Sequence, residues 1–306
     1  MPATSPSADI LWIEHAGQRL GLLPALGGGV AAWQLDRPSG RVDLWRPWDG
    51  VRPDAYTFAS FPLVPWSNRI SGGGFEHEGR FHAVAPNRAG EPYPIHGDGW
   101  LQPWQATREA NAGVVMTLAS DRHAGNPYRY EAEQRFTLVD GGLDQTLSVT
   151  HRGPGSLPYG LGLHPYFLRP PGTRLRAEVT GVWLSGSDPL PTEHTTAFPP
   201  TWDLHDCDVH GPLIDNGYTG WSGEAHIDWP SHGLRLTLTV PEWFDVGHDA
   251  GGYCLLYRPP QGEAFAFEPI TQPIDAFHLP GRPGLKVLRD GETLTLRARW
   301  RVSALG

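Results

Sequence analysis

The sequence predicts an all-β protein built as a large antiparallel β-sandwich, and three observations carry that prediction. First, 38 glycines and 31 prolines, 69 of 306 residues, punctuate the chain into short segments. Second, several of those segments alternate apolar and polar residues with the period of a half-buried strand. In the stretch 293–302, Leu294, Leu296, Ala298, Trp300 and Val302 fall on one face, with Thr and Arg on the other. Third, no segment keeps a helical period between capping residues. The Gly and Pro content approaches that of low-complexity chains, but 13 Trp, 11 Phe and 9 Tyr supply a core that such chains lack.

Taken in order, residues 1–8 read as a short polar tail and 9–306 as one domain, because no composition break or repeat of 20–50 residues divides the rest. Strands are expected at 10–14, 19–23, 30–35 (after the Gly27–Gly28–Gly29 turn) and 41–45. The segment 47–100 is rich in loops and holds a hairpin, 74–78 and 80–84, joined at Gly79. Strands follow at 114–118 and 129–139, and the Asp140–Gly141–Gly142 turn leads into 143–151. After the Pro/Gly-rich 153–162, strands resume at 174–180 and 182–184. The segment 189–223 reads as irregular throughout. A hairpin at 225–229 and 234–240 crosses Pro230–Ser231–His232–Gly233, and strands at 253–257, 264–270 and 293–302 complete the chain.

Composition excludes several classes. The net charge is -9 and Lys286 is the single lysine, so there is no basic face for nucleic acid. Cys207 and Cys254 have neither zinc-site nor redox spacing. The first ten residues lack a basic region followed by an apolar run, and no apolar stretch reaches membrane-span length. A cytoplasmic enzyme or binding protein is the expectation. The chain has no G-x-G-x-x-G after a strand, no G-x-x-x-x-G-K-[ST], no H-E-x-x-H and no G-x-S-x-G. Among 14 histidines there is no His-x-His pair. His205 and His210, flanking Asp206–Cys207–Asp208, come nearest to a ligand cluster and read as a solvated loop, so no metal and no cofactor are expected.

Four places remain. Asn68–Arg69–Ile70 lies between Pro65 and the triple glycine at 72–74, and His96 lies in Pro94–Ile95–His96–Gly97–Asp98–Gly99. His164 precedes Pro165 in Leu163–His164–Pro165–Tyr166–Phe167, and Glu268 sits in Phe265–Ala266–Phe267–Glu268–Pro269. Proline fixes φ and glycine permits close approaches, so the first two are polar side chains on shaped loops. Taken singly, Arg69 reads as a surface charge, His96 as a turn residue, His164 as a satisfied core histidine and Glu268 as an arginine partner. A carboxylate between Phe267 and Pro269 loses solvation, which raises its pKa toward that of a useful base. A histidine supplies the matching acid.

In order and rough spacing these motifs are similar to those of the aldose 1-epimerase (galactose mutarotase) family, and Gly74–Phe75, Gly79–Arg80–Phe81 and Gly291–Glu292 agree with it. The resemblance implies that family's β-sandwich (the galactose mutarotase-like supersandwich). It also implies Glu268 as catalytic base, His164 as general acid, His96 as the second active-site histidine, and Arg69, with Asn68 beside it, as the sugar-binding arginine. Asp215, in Leu213–Ile214–Asp215–Asn216–Gly217–Tyr218, best matches the family's sugar-binding aspartate. Trp66–Ser67 before Asn68 departs from many members and resembles a bacterial branch whose sugar need not be galactose. The implied activity is interconversion of α and β anomers of a free aldohexose, with Trp66 or Tyr166 as candidate platforms under a sugar face. The alternatives are a mutarotase for a phosphorylated or sulfonated hexose, using Arg88 or Arg122, a non-catalytic carbohydrate-binding protein, and a glycosidase with Asp215 as second carboxylate. In each the partner is a small sugar, with no nucleic acid and no membrane.

Overall fold

The computed structural model describes residues 9–109, 112–241 and 252–306, so the tail expected at 1–8 lies outside them. Among the described residues there are strands and single-turn 3-10 helices only. No helix among them is long and apolar enough to cross a membrane.

A nine-stranded antiparallel sheet runs in the order Cys207–Asp208, Arg174–Ala177, Glu224–Trp229, Leu234–Thr239, Thr293–Ala304, Gly142–His151, Arg129–Val139, Gly113–Asp121, Gln105–Glu109. Its middle strand, Thr293–Ala304, shows the expected alternation: Leu294, Leu296, Ala298 and Trp300 are buried, and Val302 packs half-buried on the same core. A second sheet of eight strands runs Pro191–Thr195, Gly181–Ser185, Ile214–Trp221, Gly252–Arg258, Ala264–Ile270, Gly162–Leu163, Pro62–Leu63, with Tyr166–Leu168 also paired to Ala264–Ile270. A four-stranded sheet holds Leu11–His15, Gln18–Leu23, Gly29–Arg37 and Gly40–Trp45.

A run of aromatic contacts ties the three sheets together. Trp45 meets Trp33 at 5.2 Å and Trp300 at 5.3 Å, both edge to face. Phe167 meets Trp300 at 6.1 Å and Phe265 at 5.5 Å. Such pairs add to the area that large rings bury. Ala264–Ile270 is buried along its whole length, because its two faces serve different clusters. Phe265 and Phe267 point into the main core, whereas Ala264, Ala266 and Ile270 join a smaller cluster with Phe61, Trp100 and Tyr166. Glu268 shares the second face, since side chains two apart on a strand point the same way.

The three expected hairpins form, Gly74–His77 with Arg80–Ala83, Arg129–Val139 with Gly142–His151 and Glu224–Trp229 with Leu234–Thr239. Glu78 and Gly79 take positive φ, as a two-residue hairpin turn requires. The expected strand at 174–180 stops at Ala177. The segment 189–223 is not irregular throughout. It contains Pro191–Thr195, Cys207–Asp208 and the eight-residue strand Ile214–Trp221, whose Asn216, Gly217 and Gly220 resemble turn residues in sequence. The strand Gln105–Glu109, unexpected from sequence, is exposed along its length and so carries no alternation. Ser156–Tyr159 pairs with Lys286–Arg289 inside a stretch whose Pro and Gly suggest only loop.

Trp45 is fully buried between Trp33 and Trp300. Trp45→Ala is expected to cost about 3–5 kcal/mol, the range for truncating a buried aromatic, read as a lower urea midpoint at unchanged m-value.

Candidate active site

Three neighbouring strands of the eight-stranded sheet, Ile214–Trp221, Gly252–Arg258 and Ala264–Ile270, set the floor. Glu268 lies opposite Leu255, and Tyr257 lies opposite both Ala266 and Asp215. Directly opposed residues share a face, so the register turns Glu268, Tyr257 and Asp215 toward the same side. Across from them, the chain bends at Pro165 between Gly162–Leu163 and Tyr166–Leu168. The His164 amide donates to the Phe61 carbonyl at 3.1 Å and the Tyr166 amide to Ala59 at 2.9 Å. This holds the His164 ring stacked on Phe61, centroids 4.6 Å apart.

The loop from Phe61 to Trp100 supplies the rest. Asn68 and His96 both take positive φ, +54° and +60°, a backbone region uncommon outside glycine. Each is held there by the other. The His96 amide donates to the Asn68 carbonyl at 3.0 Å, and the Asn68 amide donates to His96 Nδ1 at 3.0 Å. Because Nδ1 accepts, the ring proton of neutral His96 belongs on Nε2. Gly97 must be glycine: a Cβ there would stand 2.0 Å from the Val64 carbonyl oxygen. Asp98, buried, accepts from Tyr130 Oη and Asn126 Nδ2 and anchors the loop to the nine-stranded sheet. Asn68 Oδ1 accepts from the Arg69 amide at 2.9 Å, and Arg69 Nε donates to Glu91 at 3.1 Å. Arg69 Nη1 lies 3.5 Å from Asp215.

The six residues singled out in sequence, Glu268, His164, His96, Arg69, Asn68 and Asp215, therefore line one cavity of about 580 Å³. The sequence reading did not single out Arg46, Tyr56, Glu91, Tyr257 and Glu263, which line it too. None stands in a motif, and Glu91 could have been suspected only as a carboxylate near a loop arginine. Of the two aromatic platforms considered, Tyr166 lines the cavity, while Trp66 is buried in the main core against Tyr128. Arg88 also lines it, whereas Arg122 lies at a separate depression with Arg80 and Arg129. His205 pairs with Asp203 and Glu178, and His210 with Asp208 and the Arg169 carbonyl. Among the described residues no three His, Cys, Asp or Glu side chains group as metal ligands.

At the cavity floor His164 Nε2 stands 3.3 Å from Glu268 Oε1, with both side chains almost wholly buried. Glu268 Oε2 and His164 Nδ1 have no hydrogen-bond partner in the protein. Burial pushes the Glu268 carboxyl well above the ordinary carboxylate range; Asp215 adds to the rise and Arg69 opposes it. Burial likewise drives His164 down to about 3 and His96 well below its usual value. Each shift disfavours the charged form. Burial thus favours the neutral form of both groups, and a short path joins the Glu268 carboxyl to the imidazole.

The fold matches a known class. A crystal structure of an aldose 1-epimerase candidate from Escherichia coli K12 superposes with a TM-score of 0.87 at 28% identity, covering 97% of this chain and 99% of that one. A galactose mutarotase-like protein from Clostridium acetobutylicum shares the fold at 17% identity, with a TM-score of 0.81 and 98% and 100% coverage. The uncharacterized Escherichia coli K12 protein YphB is 34% identical over 305 residues, 95% of this chain and 99% of that protein. The chain belongs to the aldose 1-epimerase family, whose sequence profile matches residues 10–301. That family comprises isomerases acting on sugars.

The shifted groups set the pH dependence of stability. Above about 4.5 the unfolded chain releases the Glu268 proton while the folded carboxyl keeps it, so stability is lost as pH rises. Glu268→Gln removes that loss, and its urea midpoint is expected to gain on wild type progressively as pH rises above about 4.5. On the acid side, unfolded His96 and His164 take protons below about 6.5 that the folded protein refuses, so wild-type stability falls as pH drops below that value.

Proposed function

We propose that the protein interconverts the α and β anomers of an uncharged aldohexose by acid/base ring opening and closure. The observation that carries this reading is the buried Glu268–His164 pair, 3.3 Å apart, with one polar atom on each side chain left without a protein partner, in a cavity also lined by Arg69, His96 and Asp215.

In the ionised form of the pair, Glu268 takes the proton of the C1 hydroxyl and C1–O1 becomes a carbonyl. The C1–O5 bond breaks, and His164 gives its proton to O5. Glu268 is then neutral and His164 neutral, the form that burial favours. Rotation about C1–C2 presents the other carbonyl face, O5 attacks it, and both protons return. The pair carries one proton throughout, and no atom is gained or lost. Arg69 offsets part of the cost of a buried carboxylate. The proton on His96 Nε2 is available to a sugar oxygen, and holding the ring in register with the pair is where positioning contributes to rate.

Charge balance supports an uncharged sugar. Glu91, Asp215, Glu263 and Glu268 line the cavity against Arg46, Arg69 and Arg88. Arg69 is bound to Glu91 and Asp215, and Arg88 to Asp54 at 3.1 Å. Among the described residues, the cavity arginine left to a phosphate or sulfonate without a carboxylate ion pair is Arg46, on which the Glu263 charge acts. A cytoplasmic location goes with this reading, supported by two buried cysteines that are not joined in a disulfide.

Polarimetry on freshly dissolved α-D-glucose and α-D-galactose tests the proposal. Wild type is expected to speed mutarotation, with Glu268→Gln and His164→Asn each slower by about 10²- to 10⁴-fold. Acceleration only of a phosphorylated or sulfonated hexose would replace the substrate. Binding without acceleration of any aldose would make the protein a sugar binder.

A further inference from the structure

Tyr56 lies in the single turn Ala55–Thr57 and lines the cavity, yet no sequence motif marks it. Its position is fixed from three sides. Asp54 Oδ1 accepts from the Tyr56 amide at 3.1 Å and from Arg88 Nη1 at 3.1 Å. The Arg88 guanidinium lies over the Tyr56 ring, 3.5 Å from its centroid, a favourable cation–π arrangement. Arg46 Nη2 donates to the carbonyls of Tyr56 and Phe58, each at 2.8 Å. The ring then stands 5.9 Å from His164 and 6.1 Å from His96.

For all this support, the Tyr56 hydroxyl is buried and has no hydrogen-bond partner in the protein. Burying a phenol without a partner is costly, and buried tyrosines usually find one. Phenylalanine would fill the same volume without that cost, so packing gives no role to the oxygen. The charges that act on the phenol are those of Arg88, Glu91, Glu268 and Arg69, which all border the cavity. Burial also keeps the phenol protonated, so the oxygen can donate and accept at once, as a sugar hydroxyl does.

We propose that Tyr56 is a further substrate-binding residue whose hydroxyl pairs with one specific hydroxyl of the sugar, oriented by the Asp54–Arg88 clamp. The proposal rests on the sugar-binding reading of this cavity. It assigns Tyr56 to binding and selectivity, with the proton transfers left to Glu268 and His164.

The test compares wild type with Tyr56→Phe on glucose, galactose and the 2-, 3-, 4- and 6-deoxy forms of the preferred sugar, measuring Kd by calorimetry and mutarotation by polarimetry. The variant is expected to melt at or above the wild-type temperature, because no protein hydrogen bond is lost. Its Kd and KM for the parent sugar should rise about tenfold, the order of one hydrogen bond, with kcat little changed. For one deoxy sugar the two proteins should bind alike. Wild-type binding or turnover with Kd and KM the same in both proteins for every sugar would overturn the assignment and leave the mutarotase reading standing. A lower melting temperature with an equal loss on all the sugars would make Tyr56 a structural residue. If wild type binds none of them, the reading and the assignment fall together.

Discussion

A carboxyl group and an imidazole that are both out of water, and in contact, set the terms for the rest of this structure. Glu268 and His164 are nearly inaccessible, and an ionisable side chain remains in such a place only where the surrounding backbone leaves it no alternative. The strand Ala264–Ile270 provides that compulsion. It is paired along its length with Gly252–Arg258 and Tyr166–Leu168, and its Phe265 and Phe267 are locked into the aromatic core. Sliding the strand by one residue would move Glu268 into that core and a phenylalanine into the cavity. The large hydrophobic interior therefore does more than stabilise. It fixes the register that aims one carboxyl at one histidine.

The facing wall is made differently. Asn68 and His96 sit on loops, where regular pairing cannot fix a side chain, and each occupies a backbone conformation unusual for its type. Their reciprocal hydrogen bonds replace the missing ladder, and the Asp98 contacts to Tyr130 and Asn126 tie the loop to a rigid sheet. Arg69 is then oriented through Asn68, Glu91 and Asp215. Backbone held away from its commonest conformations is found where the surrounding structure over-determines it, often at sites of function.

What the sequence disclosed follows from these two kinds of construction. Regular strands with one wet face, such as Thr293–Ala304, announce themselves by alternation. Glu268 stood out because a carboxylate inside an apolar strand breaks a pattern, and Arg69 and His96 because proline and glycine crowd around them. Other features leave no local trace. Ile214–Trp221 was hidden because Asn216, Gly217 and Gly220 look like turn residues, although the neighbouring strand accommodates them. Trp66 and Tyr166 looked equivalent as platforms, and only the tertiary packing sends Trp66 to the core and Tyr166 to the cavity. Tyr56 is tied to the cavity by Arg88, His96 and His164, and Glu91 by Arg69, all more than twenty residues away.

The shifts of Glu268 and His164 have one physical cause and opposite directions, and together they suit a particular kind of chemistry. Burial raises the acid and lowers the base, so both shifts favour the form in which Glu268 keeps its proton and His164 stays neutral. A hydrolytic reaction must admit a water molecule and reset its protons through solvent. Anomer exchange, under the reading proposed here, needs neither, because the proton that leaves O1 and the one that reaches O5 are returned when the ring closes. A pair insulated from solvent can serve such a cycle repeatedly without outside exchange. On the same proposed reading, switching between the neutral and ionised forms is driven from inside the cavity, by Arg69 and by the hydroxyls of the sugar itself. Sugar binding and the readiness of the pair are then coupled through the same few side chains.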